Sequence, residues 1–242
     1  MFLRPLALAA ALAMAQPALA QDLTPDEVKR LALEAILENP DIVMQAVEIL
    51  REREEAAQAE ATRSAILHLS FELTEDPNAP VLGNPEGDVT VVEFFDYNCP
   101  YCKRAATEVK SLLAADGNVR LVQREWPILG EGSLFATRAA LAAREQGKYE
   151  EMHWALMADQ TRKDEAAVLR IAVSVGLDLD RLKADMAAPE VDEHIAISSS
   201  LAKTLGFTGT PSFVIGTEAL FGYVPQAELE ELVRAAREGS EP

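Results

Sequence analysis

Cysteine and histidine, the usual side chains of zinc sites, are scarce in this sequence of 242 residues, which has two cysteines and three histidines. The histidines, His68, His153 and His194, lie far from the cysteines along the chain and on separate predicted helices. Protein zinc sites need three or four ligands brought together. The shortage therefore argues against a metal centre.

Positive charge is also in short supply, with 22 Lys and Arg residues against 40 Asp and Glu residues and a formal net charge of −18. Proteins that bind nucleic acid without regard to sequence place clustered Lys and Arg on phosphates. So large an acidic excess excludes nucleic acid as a main partner. The charge itself favours solubility and does not specify a fold.

Long apolar runs are absent apart from one near the start, between Leu6 and Ala15. It follows a single Arg4 and ends at the small-residue sequence Ala18-Leu19-Ala20, which is typical of a secretory signal peptide. A membrane anchor needs about 20 apolar residues, more than this run provides. We expect residues 1–20 to be a signal peptide, cleaved after Ala20, that directs the protein to the periplasm.

Both cysteines belong to one motif, Cys99-Pro100-Tyr101-Cys102, in a chain expected to reach an oxidising compartment. A structural disulfide closing about four residues would stabilise the fold by roughly 2 kcal/mol, against roughly 3 kcal/mol for a 15-residue loop. A chain of this length gains little from so short a bridge. A redox-active pair is therefore favoured over the two alternatives, a metal site and a structural disulfide.

The segment 21–70 is predicted to form a helical arm. Thr24-Pro25-Asp26-Glu27 has the pattern of a capping box that begins a helix, and Asn39 is predicted to cap a second helix. A charged, alanine-rich stretch then extends the second helix as a solvated stalk. The arm either packs on the main domain or joins copies of the chain through its apolar positions, among them Leu31, Ile36, Ile42, Val43, Ile49 and Leu50.

Turn-forming clusters place a domain boundary near residues 71–80, and an α/β pattern fills residues 71–242. The β-branched and aromatic run Val89–Phe95 predicts a buried strand, the CxxC motif opens a helix, and Val119–Glu125 predicts a second strand. A β-α-β order indicates parallel strands joined by a crossover helix.

The rest of the chain is predicted to be helical over about 130–205, and then to form a hairpin and a terminal helix. Gly216-Thr217 separates the two strands of the hairpin, Ser212–Ile215 and Glu218–Phe221. The terminal helix is predicted over Pro225–Arg237.

The position of the motif after a strand assigns different roles to the two thiols. Cys99 is predicted to lie at a helix N-terminus, where free N–H groups and the helix dipole favour a thiolate. Cys102 lies one turn further in, where it can attack a mixed disulfide on Cys99. Glu93 is a carboxylate inside an apolar strand; it is either turned to solvent or buried as a proton relay for Cys102.

Glu93-Phe94-Phe95-Asp96-Tyr97-Asn98-Cys99-Pro100-Tyr101-Cys102 and the later Gly209-Thr210-Pro211-Ser212-Phe213 together resemble the DsbA-type periplasmic thiol-disulfide oxidoreductases of the thioredoxin superfamily. The resemblance implies a thioredoxin-like fold with a helical insertion and a cis Thr210–Pro211 bond beside the CxxC motif. It implies protein clients with thiols or disulfides, a membrane redox partner and no organic cofactor.

Two departures bear on the activity. Tyr101 and Thr210 differ from the residues of the strongest oxidase in that family. Thr210 together with the N-terminal arm is more similar to the ScsC-type proteins and the oligomeric disulfide isomerases. The sequence therefore favours an isomerase. The alternatives are a monomeric disulfide oxidase and a non-enzymatic protein that binds copper through the same thiols.

Overall fold

The computed structural model of the protein describes residues 23–239, so the expected signal peptide lies outside the described residues. The chain divides into two compact units, with the division between Glu55 and Ala56. Across the described residues, every helix is either too short or too polar to cross a membrane.

The first unit consists of helix α1 (Pro25–Glu38) and the beginning of helix α2 (Asp41–His68). The predicted capping box is confirmed: Glu27 donates its N–H to the Thr24 hydroxyl at 3.3 Å, and the Glu27 carboxylate accepts the Thr24 N–H at 2.9 Å. Asn39 ends α1, because its side-chain amide donates to the Ala35 carbonyl at 3.2 Å. That side chain therefore serves α1, whereas the sequence predicts it as the cap of α2.

The second unit contains a five-stranded sheet in the order β1-β3-β2-β4-β5. Strands β2 and β3 are parallel, and every other neighbouring pair is antiparallel. The predicted parallel pair and the predicted C-terminal hairpin are both confirmed. The strands are β1 (Val81–Gly83), β2 (Val89–Phe95), β3 (Val119–Glu125), β4 (Ser212–Ile215) and β5 (Glu218–Phe221).

Helices surround this sheet, and five α-helices together with one 3₁₀ helix (Ala143–Gln146) form the predicted helical insertion between β3 and β4. Helix α4 connects the parallel strands, as the β-α-β pattern predicts. The helices after α2 are α3 (Ser70–Thr74), α4 (Pro100–Ala115), α5 (Glu131–Ala142), α6 (Tyr149–Ala158), α7 (Glu165–Ser174), α8 (Leu179–Asp185), α9 (Pro189–Thr204) and α10 (Gln226–Gly239).

Strand β2 contributes to two hydrophobic cores, one on each face of the sheet. Val91 and Phe95 pack into the larger core with α4 and the insertion, whereas Val92 and Phe94 pack into the smaller core with α9. Side chains alternate between the faces of a strand. Glu93 therefore shares the face of Val91 and Phe95, which is the face covered by α4.

Candidate active site

The two cysteines lie where β2 gives way to α4. Cys99 is the N-cap of the helix, with an extended backbone conformation, and Pro100 occupies the first turn, where a missing N–H has no cost. The Cys99 sulfur accepts the backbone N–H of Cys102 at 3.4 Å. A helix N-terminus leaves such N–H groups free for an anion, so the fold directs them at Cys99, as predicted.

The loop that carries Cys99 is fixed by buried side chains. Asp96 is fully buried, and its carboxylate accepts the N–H of Asn98 at 2.7 Å and that of Leu129 at 2.9 Å. The Asn98 side chain in turn accepts the Lys163 N–H at 2.6 Å and donates to the Ser133 hydroxyl at 3.1 Å. These bonds tie the loop to the helical insertion and hold the N-cap in place.

A second loop lies against the cysteine pair. The Thr210–Pro211 peptide bond is cis, as the resemblance implies, and the Cys99 sulfur lies 3.2 Å from the Thr210 carbonyl oxygen, to which it donates when it is protonated. The structure therefore brings the Thr210–Pro211 loop against Cys99 and Cys102, although more than a hundred residues of sequence separate the loop from the cysteine pair.

The two thiols have opposite pKa shifts. Hydrogen bonds from the Cys102 side chain, from the Thr210 side chain and from the N–H groups at the start of α4 outweigh partial burial and lower the pKa of Cys99 to about 6. Cys102 is completely buried, and burial, followed by the neighbouring Cys99, raises its pKa well above the usual value. At neutral pH Cys99 is the thiolate and Cys102 the thiol.

Glu93 lies in the core beneath the pair and does not turn to solvent. It is 1% exposed, and one of its carboxylate oxygens has no hydrogen-bond partner among the described residues. Burial raises the pKa of Glu93 to about 8; Gln123, its partner in the β2–β3 register, opposes the shift and the charge of Cys99 adds to it. A carboxyl group with such a pKa can accept or release a proton near neutral pH.

Comparison with known proteins shows the family to which this chain belongs. The profile of the DSBA-like thioredoxin domain matches residues 90–234, which include the CxxC motif and the Thr210–Pro211 loop. The chain belongs to the DSBA-like thioredoxin family.

Several solved structures are also similar to this chain. A thioredoxin-like oxidoreductase from Silicibacter pomeroyi DSS-3 is 64% identical over 69% of this chain and 97% of its own, with a TM-score of 0.69. A linker-deletion mutant of Proteus mirabilis ScsC is 25% identical over 95% of this chain and 100% of its own, with a TM-score of 0.71. A periplasmic thioredoxin-like protein from Salmonella enterica is 26% identical over 70% of this chain and 96% of its own, with a TM-score of 0.64.

Curated relatives match over a smaller part of their length. The Na+/H+ antiporter NhaA 3 of Salinispora tropica is 39% identical over 137 residues, which are 56% of this chain and 21% of the antiporter. The chain thus spans about a fifth of that relative.

Sequence reasoning missed a buried polar cluster behind the site of the DSBA-like domain. Glu125 accepts the hydroxyl of Tyr149 at 2.6 Å and lies 2.6 Å from Nε2 of His194. Tyr97, two residues before Cys99, lies 3.1 Å from Nδ1 of His153. Because these residues come from separate helices and strands, no local sequence pattern predicts the cluster.

Within residues 23–239 no group of three or more His, Cys, Asp or Glu side chains has the arrangement of a metal site. His153 and His194 are both buried, but they serve the polar cluster and lie on different helices. The copper-binding alternative therefore depends on the thiols of Cys99 and Cys102 alone.

Proposed function

We propose that the protein is a periplasmic thiol-disulfide oxidoreductase that isomerises disulfides in protein clients. Cys99 is the nucleophile, Cys102 the resolving thiol and Glu93 the proton acceptor for Cys102. Thr210 and Pro211 line the site against which the client chain lies. The opposite pKa shifts of the two thiols support the division of roles, and the expected signal peptide and the likeness to a periplasmic protein support the location.

The reaction begins when the Cys99 thiolate attacks one sulfur of a client disulfide. A bond forms between Cys99 and that sulfur, the client disulfide breaks, and the second client sulfur leaves as a thiolate that takes up a proton. A different client thiolate can then attack the mixed disulfide, which rearranges the client and regenerates the Cys99 thiolate.

Cys102 provides a second route by which the mixed disulfide can be resolved. Once Cys99 is in the mixed disulfide and its charge is gone, the Cys102 thiol loses a proton to the ionised form of Glu93. The resulting thiolate attacks the Cys99 sulfur, which releases the reduced client thiolate and leaves a Cys99–Cys102 disulfide. This route lets the protein escape from an unproductive client. It reduces the client by two electrons, and a membrane redox partner must then return the pair to the dithiol form.

The N-terminal arm is the feature that favours an isomerase over an oxidase. All side chains from Leu23 to Ala61 are exposed, including apolar ones such as Leu37, 71% exposed, and Met44, 67% exposed. Contiguous exposed apolar surface of this kind marks an interaction site. We infer that the arm joins copies of the chain, so that several reduced pairs face one client with wrong disulfides.

The test weakens self-association in the full chain. The variant Leu31→Glu with Ile36→Glu adds charge on exposed positions of α1 without opening a core, and Val173→Glu is the control because Val173 is also exposed but lies on α7, outside the arm. Solution mass and the reactivation of a scrambled disulfide protein are then measured. We expect an oligomeric, active wild type and control, and a monomeric double variant that still reduces insulin but no longer reactivates.

A wild type that is monomeric at tens of micromolar, or a double variant that keeps full reactivation, would contradict the isomerase assignment. Either result would favour the alternative of a monomeric oxidase. Failure of all the proteins to reduce insulin would instead contradict dithiol chemistry at Cys99 and Cys102.

A further inference from the structure

A groove runs along α4 from the cysteine pair. It consists of two adjoining hollows of about 430 and 500 Å³, and both hollows are lined by Lys103 and Gln160. The first hollow begins at Pro100, next to Cys99, and the second ends at Ala114. We call these two hollows together the α4 groove.

One face of α4 forms the floor of the α4 groove. Its residues recur at intervals of three or four, as expected for one side of a helix, and most of them are small. A peptide backbone can therefore approach the helix closely. The floor residues are Pro100, Lys103, Ala106, Thr107, Lys110 and Ala114.

The α4 groove is positively charged in a protein with a net charge of −18. Lys103, Lys110 and Arg162 line it, and no Asp or Glu is among its lining residues. Lys110 lies over the ring of Trp154, 5.5 Å from the centroid, and Arg162 is exposed with no ion pair in the described part of the chain. At least one of these cationic side chains can therefore pair with an anionic group of a ligand.

Two acidic groups on the segments that line the α4 groove are already engaged. Asp159 lies 3.1 Å from the buried ammonium group of Lys163 and accepts the N–H of Thr161 at 2.7 Å. Glu150 accepts the Trp154 indole N–H at 3.1 Å. Lys103 donates to the Thr161 carbonyl and makes no ion pair in the described part of the chain. Arg162 also lines the next hollow together with Glu131, Asp164 and Glu165, so Lys103 and Lys110 carry most of the positive charge of the α4 groove.

We propose that the α4 groove binds an extended acidic segment of the client, with Asp or Glu residues close to the reacting cysteine. The proposal rests on the proposed function and adds a preference among clients. From Pro100 to Ala114 the helix rises about 21 Å, which an extended peptide covers in about six residues. Length, shallow floor and charge fit a peptide, and the overall acidic charge opposes nucleic acid.

The test measures how fast the oxidised protein reacts with three seven-residue peptides. Each has one central cysteine, flanked by two Glu, two Gln or two Lys residues. The peptide thiolate attacks Cys99, a peptide–Cys99 disulfide forms, the Cys99–Cys102 bond breaks, and Cys102 leaves as a thiolate that takes up a proton. Acid quenching and mass spectrometry follow the mixed disulfide.

The α4 groove variant is Lys110→Gln with Arg162→Gln. Its matched control is Lys183→Gln with Lys203→Gln, which changes the net charge equally at exposed positions on α8 and α9, outside the groove. We expect the wild type and the control to prefer the Glu peptide over the Lys peptide. Each lost groove charge should reduce that preference about two- to fivefold, and added salt should reduce it further in the wild type.

Comparing the ratio of rates between peptides removes the intrinsic differences in peptide thiol reactivity. A groove variant with the same preference as the wild type, or a wild type with equal rates on all three peptides, would overturn the proposal while leaving the proposed function intact. Absence of reaction with every peptide would overturn both. A control that loses the preference as much as the groove variant would show that net charge is responsible, and would also overturn it.

Discussion

The lowered pKa of Cys99 predicts selective alkylation in mildly acidic solution. With a pKa of about 6 for Cys99, the rate of its reaction with iodoacetamide should rise with pH, reach half its maximum near pH 6 and then level off. Cys102, whose pKa is raised and whose side chain is buried, should react far more slowly over the same range.

The size of the effect follows from the fraction of thiolate. At pH 6 about half of Cys99 is ionised, whereas a free cysteine with a pKa of about 8.5 is about 0.3% ionised, a ratio of about 160. A thiolate of lower pKa is a weaker nucleophile, and a Brønsted coefficient of about 0.4–0.5 over this interval removes a factor of about ten. Cys99 should therefore react about tenfold faster than a free cysteine at pH 6.

The assay uses reduced protein, short exposures between pH 4.5 and 9, and peptide mass spectrometry to assign the label. The same protein unfolded in urea is the control, and its two thiols should behave as free cysteines. Cys102→Ala removes the largest contribution to the low pKa of Cys99, so its midpoint should move upward. A Cys99 rate that still rises between pH 8 and 9, or earlier labelling of Cys102, would refute the reasoning.

Two further predictions concern the neighbours of the pair. Glu93→Gln removes the proposed proton acceptor and should slow the decay of a trapped mixed disulfide by about 100-fold, with Cys99 alkylation at pH 8 nearly unchanged; an unchanged decay would exclude Glu93 from the step. Thr210→Val removes a hydrogen bond that lowers the pKa of Cys99, so the alkylation midpoint should rise. Thr208→Val, at an exposed position, should leave the midpoint in place, and equal midpoints in both variants would contradict the role of Thr210.

Much of the fold could be predicted because its signals are local. The apolar run Val89–Phe95 is long and β-branched enough to indicate a buried strand, and the capping box at Thr24 contains both of its partners within four residues. The CxxC motif directly after the strand predicts a helix N-terminus at Cys99, and the structure confirms it.

The remainder depends on contacts between distant segments. The direction of Glu93 follows from strand alternation only once the core on each face is known. The pairing of Glu125 with His194 joins residues 69 positions apart, and the basic character of the α4 groove arises when Arg162 of the insertion comes beside Lys103. Asn39 shows the same limit at short range, because an Asn between two helices can end one or begin the next.

The charge on Cys99 links the two halves of the proposed reaction. As a thiolate, Cys99 contributes to the raised pKa of both Glu93 and Cys102. When Cys99 enters a mixed disulfide, that negative charge disappears and its contribution to both shifts is lost. Cys102 then becomes easier to deprotonate at the moment when its thiolate is needed. Before a client binds, burial and the same charge keep Cys102 protonated, so only Cys99 is ready to attack.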